Sequence, residues 1–412
     1  MTFSLFSLWT FVLIGRPQDL FVALAALRPA FVLGALTLVF VFLGSPRAVF
    51  NSISMSPEAR AYLAYFGVMI IAIPFAHHRS VAFNYIFTVY LTNVIFFVVF
   101  ITIVDCLEKL KRLLSVISFC TVFYGVFGLM LGSFSSGRYV IYGAMFDPND
   151  MAYVLVTLLP ISLFFIVRRD GRFNTILAFG GVLASLVLIL LTGSRGGLLS
   201  LGVILAILLL TDVGSVKLHY KLAFIIGIGT IGAFNFEKIN FERYLTLMNM
   251  EQDYNVTSET GRLEVWKKGI ELLLGNPLTG VGVQCFPMAI GYLRADANAI
   301  PEWQAAHNSY LQVAVETGLI GFMIFLSLIA TCVRNLSKCH SIRPANLSTN
   351  DWEDIKALAG FMRLSWIGHL ICAFFLSQGY SVLFALLFAL SSVMRRLAAT
   401  SVDAKDVRIA RV

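Results

Sequence analysis

Charge is what this sequence has least of. Asp, Glu, Lys and Arg supply 13% of the 412 residues, against 58% for the hydrophobic types, and that balance excludes a soluble globular protein and points to a membrane. Alternating segments of about ten residues are also missing, which excludes a β-barrel. The six cysteines are too scattered for a disulfide framework. Cys120, Cys332 and Cys372 fall in apolar runs, Cys106 and Cys339 in short basic loops, and Cys285 alone in the large polar segment. No basic leader with a small-residue cleavage site opens the sequence, so the first apolar run is expected to remain as an anchor. Neither a DxD-like pair nor a His/Cys/carboxylate cluster occurs, so no metal and no cofactor are expected.

What the chain has instead is a series of apolar runs, most long enough to cross a hydrocarbon core of about 30 Å. They lie at 3–14, with a short run at 20–27, then 30–43, 61–75, 81–104, 113–131, 151–167 and 174–191, an eighth ending at about 211, a ninth ending near Phe236, and 308–333, 357–376 and 380–394. The expected fold is an all-α polytopic membrane protein with about twelve transmembrane helices. Residues 1–236 carry spans one to nine, 237–307 a large loop domain, 308–394 spans ten to twelve, and 395–412 a basic tail. Within the loop domain, an amphipathic stretch from Gly261 to Leu274 follows Ser258-Glu259-Thr260 and stops at Gly275-Asn276-Pro277. Trp266, Ile270 and Leu273 share one side of it, which is expected to rest on the bilayer surface or the spans.

The net charge of +8 does not signal nucleic acid, because the cations are spread over short loops in the pattern that orients membrane proteins. With a cytoplasmic N-terminus, nineteen of the 31 Lys and Arg fall in inner loops and the tail, which makes 237–306 extracytoplasmic. The short outer loops hold only Arg16, Arg28, Arg79, Arg138 and Arg195, with no lysine. Each alone is ordinarily a snorkelling interface residue. Together on one face they form an anion-binding rim, since a guanidinium pairs phosphate oxygens bidentately. Arg195 stands where a helix should start, between glycines, and a helix N-terminus adds positive potential.

Asp147-Pro148-Asn149-Asp150 opens the sixth span and carries groups that cap helix N–H donors. His307-Asn308 opens the tenth. Read as one helix, that stretch puts Leu311, Ala314, Gly318 and Gly321 within roughly 40° of His307, a seam for close helix approach, with Glu316 opposite. A histidine at a helix entrance is ordinarily a cap, but this one also titrates near neutral pH.

Several of these residues resemble those of a known family. His307-Asn308, nine residues, Gly318, two residues and Gly321 resembles the motif of bacterial O-antigen ligases and the related O-antigen polymerases. Thr192-Gly193-Ser194-Arg195-Gly196-Gly197 is similar to the second signature of that superfamily, Gly261–Trp266 to its arginine-bearing segment, and Asp147–Asp150 to its sixth-span opening. The likeness covers roughly residues 145–325. It implies a GT-C-like membrane glycosyltransferase of the bacterial inner membrane, acting on the periplasmic side. The implied reaction moves a polysaccharide from undecaprenyl pyrophosphate onto a sugar hydroxyl of lipid A core. Family roles put the catalytic histidine at His307 and essential arginines at Arg195 and Arg262. Substrate contacts are then expected from Arg16, Arg28, Arg79, Arg138, Asp147, Asn149 and Asn308, with membrane lipids around them. The polymerase alternative joins lipid-linked repeat units, and a protein O-glycosylating ligase is a third member. A lipid-linked glycan transporter is the rival of another class, against which stands the scarcity of carboxylates within spans.

Overall fold

The computed structural model describes residues 1–412 except 45, 136, 142–146, 235, 242–243, 245–257, 259–260, 297–301, 340–347 and 400–412. The chain is an all-α polytopic membrane protein. Its helices are α1 (Thr2–Gly15), α2 (Pro17–Leu20), α3 (Val22–Ala26), α4 (Pro29–Gly44), α5 (Pro46–Met55), α6 (Pro57–Ala72), α7 (Arg79–Tyr85), α8 (Leu91–Ile103) and α9 (Leu107–Leu131). After a short hairpin, β1 (Ser133–Ser135) and β2 (Arg138–Val140), come α10 (Pro148–Arg168), α11 (Arg172–Leu191), α12 (Arg195–Leu210) and α13 (Leu218–Phe234). The last are α14 (Arg262–Gly275), α15 (Phe286–Asp296), α16 (Ser309–Lys338), α17 (Thr349–Ala373) and α18 (Val382–Ala399). Among the described residues eight helices are long and apolar enough to span, and α4 with α5, 98° apart, adds a ninth if counted as one bent span. The shorter apolar helices Thr2–Gly15, Arg195–Leu210 and Leu218–Thr230 account for the remaining expected runs.

The central helix is α10, which packs on α9, α11, α12 and α17. Asp147 caps it by accepting the Asn149 N–H (2.9 Å), and Pro148 at the first position loses no bond there. Helices α9 and α11 approach closely because Gly125 faces Ala184 and Gly181 faces Thr121, where a Cβ on either glycine would lie 2.3 or 2.2 Å from its neighbour. At the end of the bundle that carries Arg168 and Arg395, charges are internally matched: Asp354 holds Lys111 and Arg168, and Glu58 holds Arg395 and Asn335.

Two expectations need correction. His307 is not part of the helix it precedes: its φ is 45°, in the left-handed region, and α16 begins at Ser309. Nor is α16 continuous, since Gly318 has φ 66° and ψ −178° and breaks it. The seam is therefore two half-seams. Below the break Gly321 lies near Val68 of α6. At the break, carbonyls freed from the helix accept from a returning strand of chain: Val281 N–H to Val315 (2.9 Å) and Gly282 N–H to Glu316 (3.0 Å). Leu319 N–H donates to Pro277 in return (2.8 Å).

Glu316 is fully buried, and its carboxylate accepts the N–H groups of Gln284 (2.9 Å) and Phe286 (3.1 Å), capping α15. This carboxylate within a span is an anchor for the 277–286 segment. A second apolar core, including Val265, Leu272, Val281, Phe286, Ile290 and Val315, then seals α14 and α15 onto α16. The most buried residues of α14 are Val265, Gly269 and Leu272, with Trp266 and Leu273 part-buried beside them and Ile270 exposed. Helix α14 lies against the spans through Gly269, which admits Leu311. Its start is capped by Gly261 without a side-chain bond, and Glu259 and Thr260 lie outside the described residues.

Candidate functional site

The ends of α1, α11 and α17 and the starts of α10, α12, α14, α16 and α18 meet at one end of the bundle. What joins them is the turn 374–381 between α17 and α18, which the sequence reading passed over as a short interspan connection. Ser377 Oγ accepts the His307 N–H (2.7 Å), which fixes the strained backbone of the histidine. Ser309 Oγ donates to the Leu376 carbonyl (2.7 Å) and accepts the Gln378 N–H (3.0 Å). The Gln378 amide donates to Asp150 (2.9 Å), and Gly379 N–H donates to Gln312 (3.2 Å). The signal available in the sequence was the polar run Ser377-Gln378-Gly379-Tyr380-Ser381 set between two apolar helices.

Asn308 caps α16, its Oδ1 accepting the N–H groups of Tyr310 and Leu311 (both 3.0 Å). Its side chain is thus committed to the helix. On the other side of His307, the Ala306 carbonyl accepts Trp266 Nε1–H (2.9 Å), and the indole packs edge-on against Phe374 at 5.4 Å. Trp266 sits one turn along α14 from Arg262, its first residue, so this bond brings that guanidinium toward the imidazole. Although His307 keeps an exposed side, burial of the other lowers its pKa below the ordinary 6.5, and the Arg262 charge lowers it further. Asp147 pulls the other way. The neutral imidazole, the form that can accept a proton, therefore prevails at pH 7.

Arg138 ties two more segments to this place. Its Nη2 donates to Asn149 Oδ1 (2.9 Å) and its Nε to the Thr192 carbonyl (3.0 Å). The turn that follows is capped by Ser194, whose Oγ accepts the Gly197 N–H (3.3 Å), and Arg195 is the first residue of α12, as the glycine-flanked motif implied. Gly196 admits Phe375 and Gly197 admits Ala152: a Cβ at these positions would lie 3.0 and 2.7 Å away. Arg195 is therefore seated between the start of α10 and the turn that holds His307.

The other expected arginines divide. Arg16 is paired with Asp19 through Nε (2.7 Å) and Nη2 (3.1 Å) and borders a cavity of about 300 Å³ with Ser377 and Gln378 in its wall. Arg28 and Arg79 are exposed, and neither side chain meets a partner among the described residues. The structure thus brings His307, Arg262, Asp147, Asn149, Arg138 and Arg195 around one turn and sets Arg16 beside it, while Arg28 and Arg79 are exposed. Among the described residues no three His, Cys, Asp or Glu side chains come together in a way that would hold a metal ion.

A histidine and several arginines gathered at one end of a polytopic bundle define a membrane-embedded site suited to an anionic leaving group and a proton transfer. Residues 180–326 match the family model described as O-antigen ligase, a match consistent with the O-antigen ligase and polymerase superfamily. It is 25% identical over 210 residues to an uncharacterized protein of Haemophilus influenzae, a match covering 47% of this chain and 49% of that protein. It is 30% identical over 82 residues to the exopolysaccharide production protein ExoQ of Rhizobium meliloti, covering 18% of each. The matched stretch spans about half the length of the first relative and less of the second.

Proposed function

We propose that the protein is an O-antigen ligase that transfers a polysaccharide from undecaprenyl pyrophosphate to a sugar hydroxyl of lipid A core at the periplasmic face of the inner membrane. The observation that carries this reading is the placement of one imidazole, kept neutral by burial and by Arg262, on the turn that also seats Arg195. A lipid pyrophosphate is already an activated leaving group, so the protein has two tasks: to offset the charge that develops on the departing phosphate and to ready the acceptor. Arg195, Arg262 and Arg138 serve the first. His307 serves the second: its free ring nitrogen takes the proton of the acceptor hydroxyl while that oxygen attacks the anomeric carbon. The bond from that carbon to the pyrophosphate oxygen breaks, and the electron pair leaves with undecaprenyl pyrophosphate. One displacement inverts the anomeric centre, and neither step calls for a metal.

The decisive experiment mixes purified protein with lipid-linked glycan and either lipid A core or excess donor, then identifies the product. Glycosylated lipid A core, lost in a folded His307→Ala variant and unaffected by a chelator, supports the ligase. Full activity of His307→Ala refutes the base assignment. The match to a protein named for exopolysaccharide production favours a second reading, a polymerase that joins lipid-linked repeat units. Lengthened lipid-linked glycan without any transfer to lipid A core establishes that reading instead.

A further inference from the structure

The cavity beside the site differs in character from the arginine cluster. Its wall includes Gln18, Asn93, Gln284 and Gln378 together with the hydroxyls of Thr92 and Ser377. The one cation on it, Arg16, is bound bidentately to Asp19, so the pair is neutral as a unit. A phosphate requires uncompensated positive charge, and this wall supplies amides and hydroxyls instead, groups that both donate and accept as sugar hydroxyls do.

Gln18 makes the distinction sharper. Its Nε2 donates to the Val12 carbonyl (3.2 Å), which fixes the orientation of the amide, and its Oε1 is buried with no partner among the described residues. A buried acceptor left open calls for a donor. A sugar hydroxyl can donate to it, whereas an ionised phosphate oxygen has no hydrogen to give. Tyr85, on the same wall, adds an aromatic face.

The cavity also has an apolar border. Leu13, Ala30, Val89 and Val382 line it from four helical segments, and Thr88 and Val89 are exposed at its mouth. That mouth lies on the π-helical turn Ile86–Tyr90, an irregularity that interrupts the helix Arg79–Ile103 within its apolar length. A ligand entering here keeps its hydrocarbon part among the spans and its polar part inside. The inner wall is shared with the site, because Ser377 is the residue that accepts the His307 N–H.

We infer that this cavity is a subsite for an uncharged, hydroxyl-rich saccharide of a membrane-anchored glycolipid, separate from the arginines that face phosphate. The inference rests on the glycosyl-transfer reading, and the saccharide belongs either to the acceptor or to the donor. Full-length protein in nanodiscs is titrated with three probes: lipid A core, an undecaprenyl-pyrophosphate-linked glycan, and undecaprenyl pyrophosphate without sugar. Gln18→Leu and the isosteric Thr92→Val each remove one polar group. Each is expected to weaken binding of one sugar-bearing probe about three- to tenfold, the range of one neutral hydrogen bond, and to leave the sugar-free lipid unchanged. Weakening confined to lipid A core identifies the acceptor, and weakening confined to the linked glycan identifies the donor. Unchanged binding of both in folded variants, or equal weakening of all three probes, overturns the subsite. Binding is read without turnover, so a wild-type protein that binds yet forms no product overturns the reaction assignment and leaves the subsite standing.

Discussion

Replacing Gly318 by alanine tests whether the break in α16 is what holds the polar lobe to the membrane body. At φ 66° and ψ −178° the backbone lies in a region open almost only to glycine, and an added Cβ would lie 2.3 Å from the Leu278 carbonyl oxygen. That oxygen belongs to backbone, so relief requires the 277–282 strand to move. Movement endangers three main-chain hydrogen bonds, Val281 to Val315, Gly282 to Glu316 and Leu319 to Pro277. Strain of about 1–3 kcal/mol and three bonds worth about 1 kcal/mol each give a loss of about 4–6 kcal/mol. Against a typical total of about 5–15 kcal/mol this is large. The assay is thermal unfolding of purified protein in nanodiscs, with transfer measured in parallel. Gly180→Ala is the control, because a Cβ there meets nothing within 4 Å, and helix propensity predicts at most about 1 kcal/mol of stabilisation. A Gly318→Ala protein that melts with wild type refutes the account of the break. One that is destabilised yet transfers at the wild-type rate refutes the link between this anchor and the site.

Arg262→Gln removes the positive neighbour that depresses the His307 pKa. The acid limb of kcat/KM, which reports the free enzyme, is therefore expected to move to higher pH; an unmoved limb counts against proximity of the two groups. Ser377→Ala deletes the acceptor of the His307 N–H. We expect kcat to fall about three- to tenfold with KM for donor held, and a change in KM alone speaks against a positioning role. Arg195→Lys keeps the charge and loses the planar fork, so donor affinity should drop, and an unchanged donor Kd contradicts a bidentate phosphate contact.

The spans, the cap at Asp147 and the helix start at Arg195 were legible because each depends on local chemistry: apolar length, a carboxylate before proline, a serine before glycines. The break at Gly318 was not. Hydropathy runs on through Thr317-Gly318-Leu319-Ile320, and glycine is common in spans for packing reasons, so the same residue reads as a seam until the 277–282 strand is seen against it. His307 was legible as a reactive group but not as a strained one, since the bond that fixes it comes from Ser377, seventy residues away. Gly269 is a position that helical periodicity does not score as apolar, yet Leu311 packs against it.

The main-chain stitching between the 277–282 strand and the halves of α16 has a consequence for how such a protein can change. Bonds between backbone groups are indifferent to side-chain identity, so most of the outward surface of the lobe is free to vary in sequence without loosening them. The attitude of that lobe toward the imidazole is carried by a handful of glycines and one carboxylate. A few positions thus fix where the lobe sits, and the rest of its surface is left free to drift.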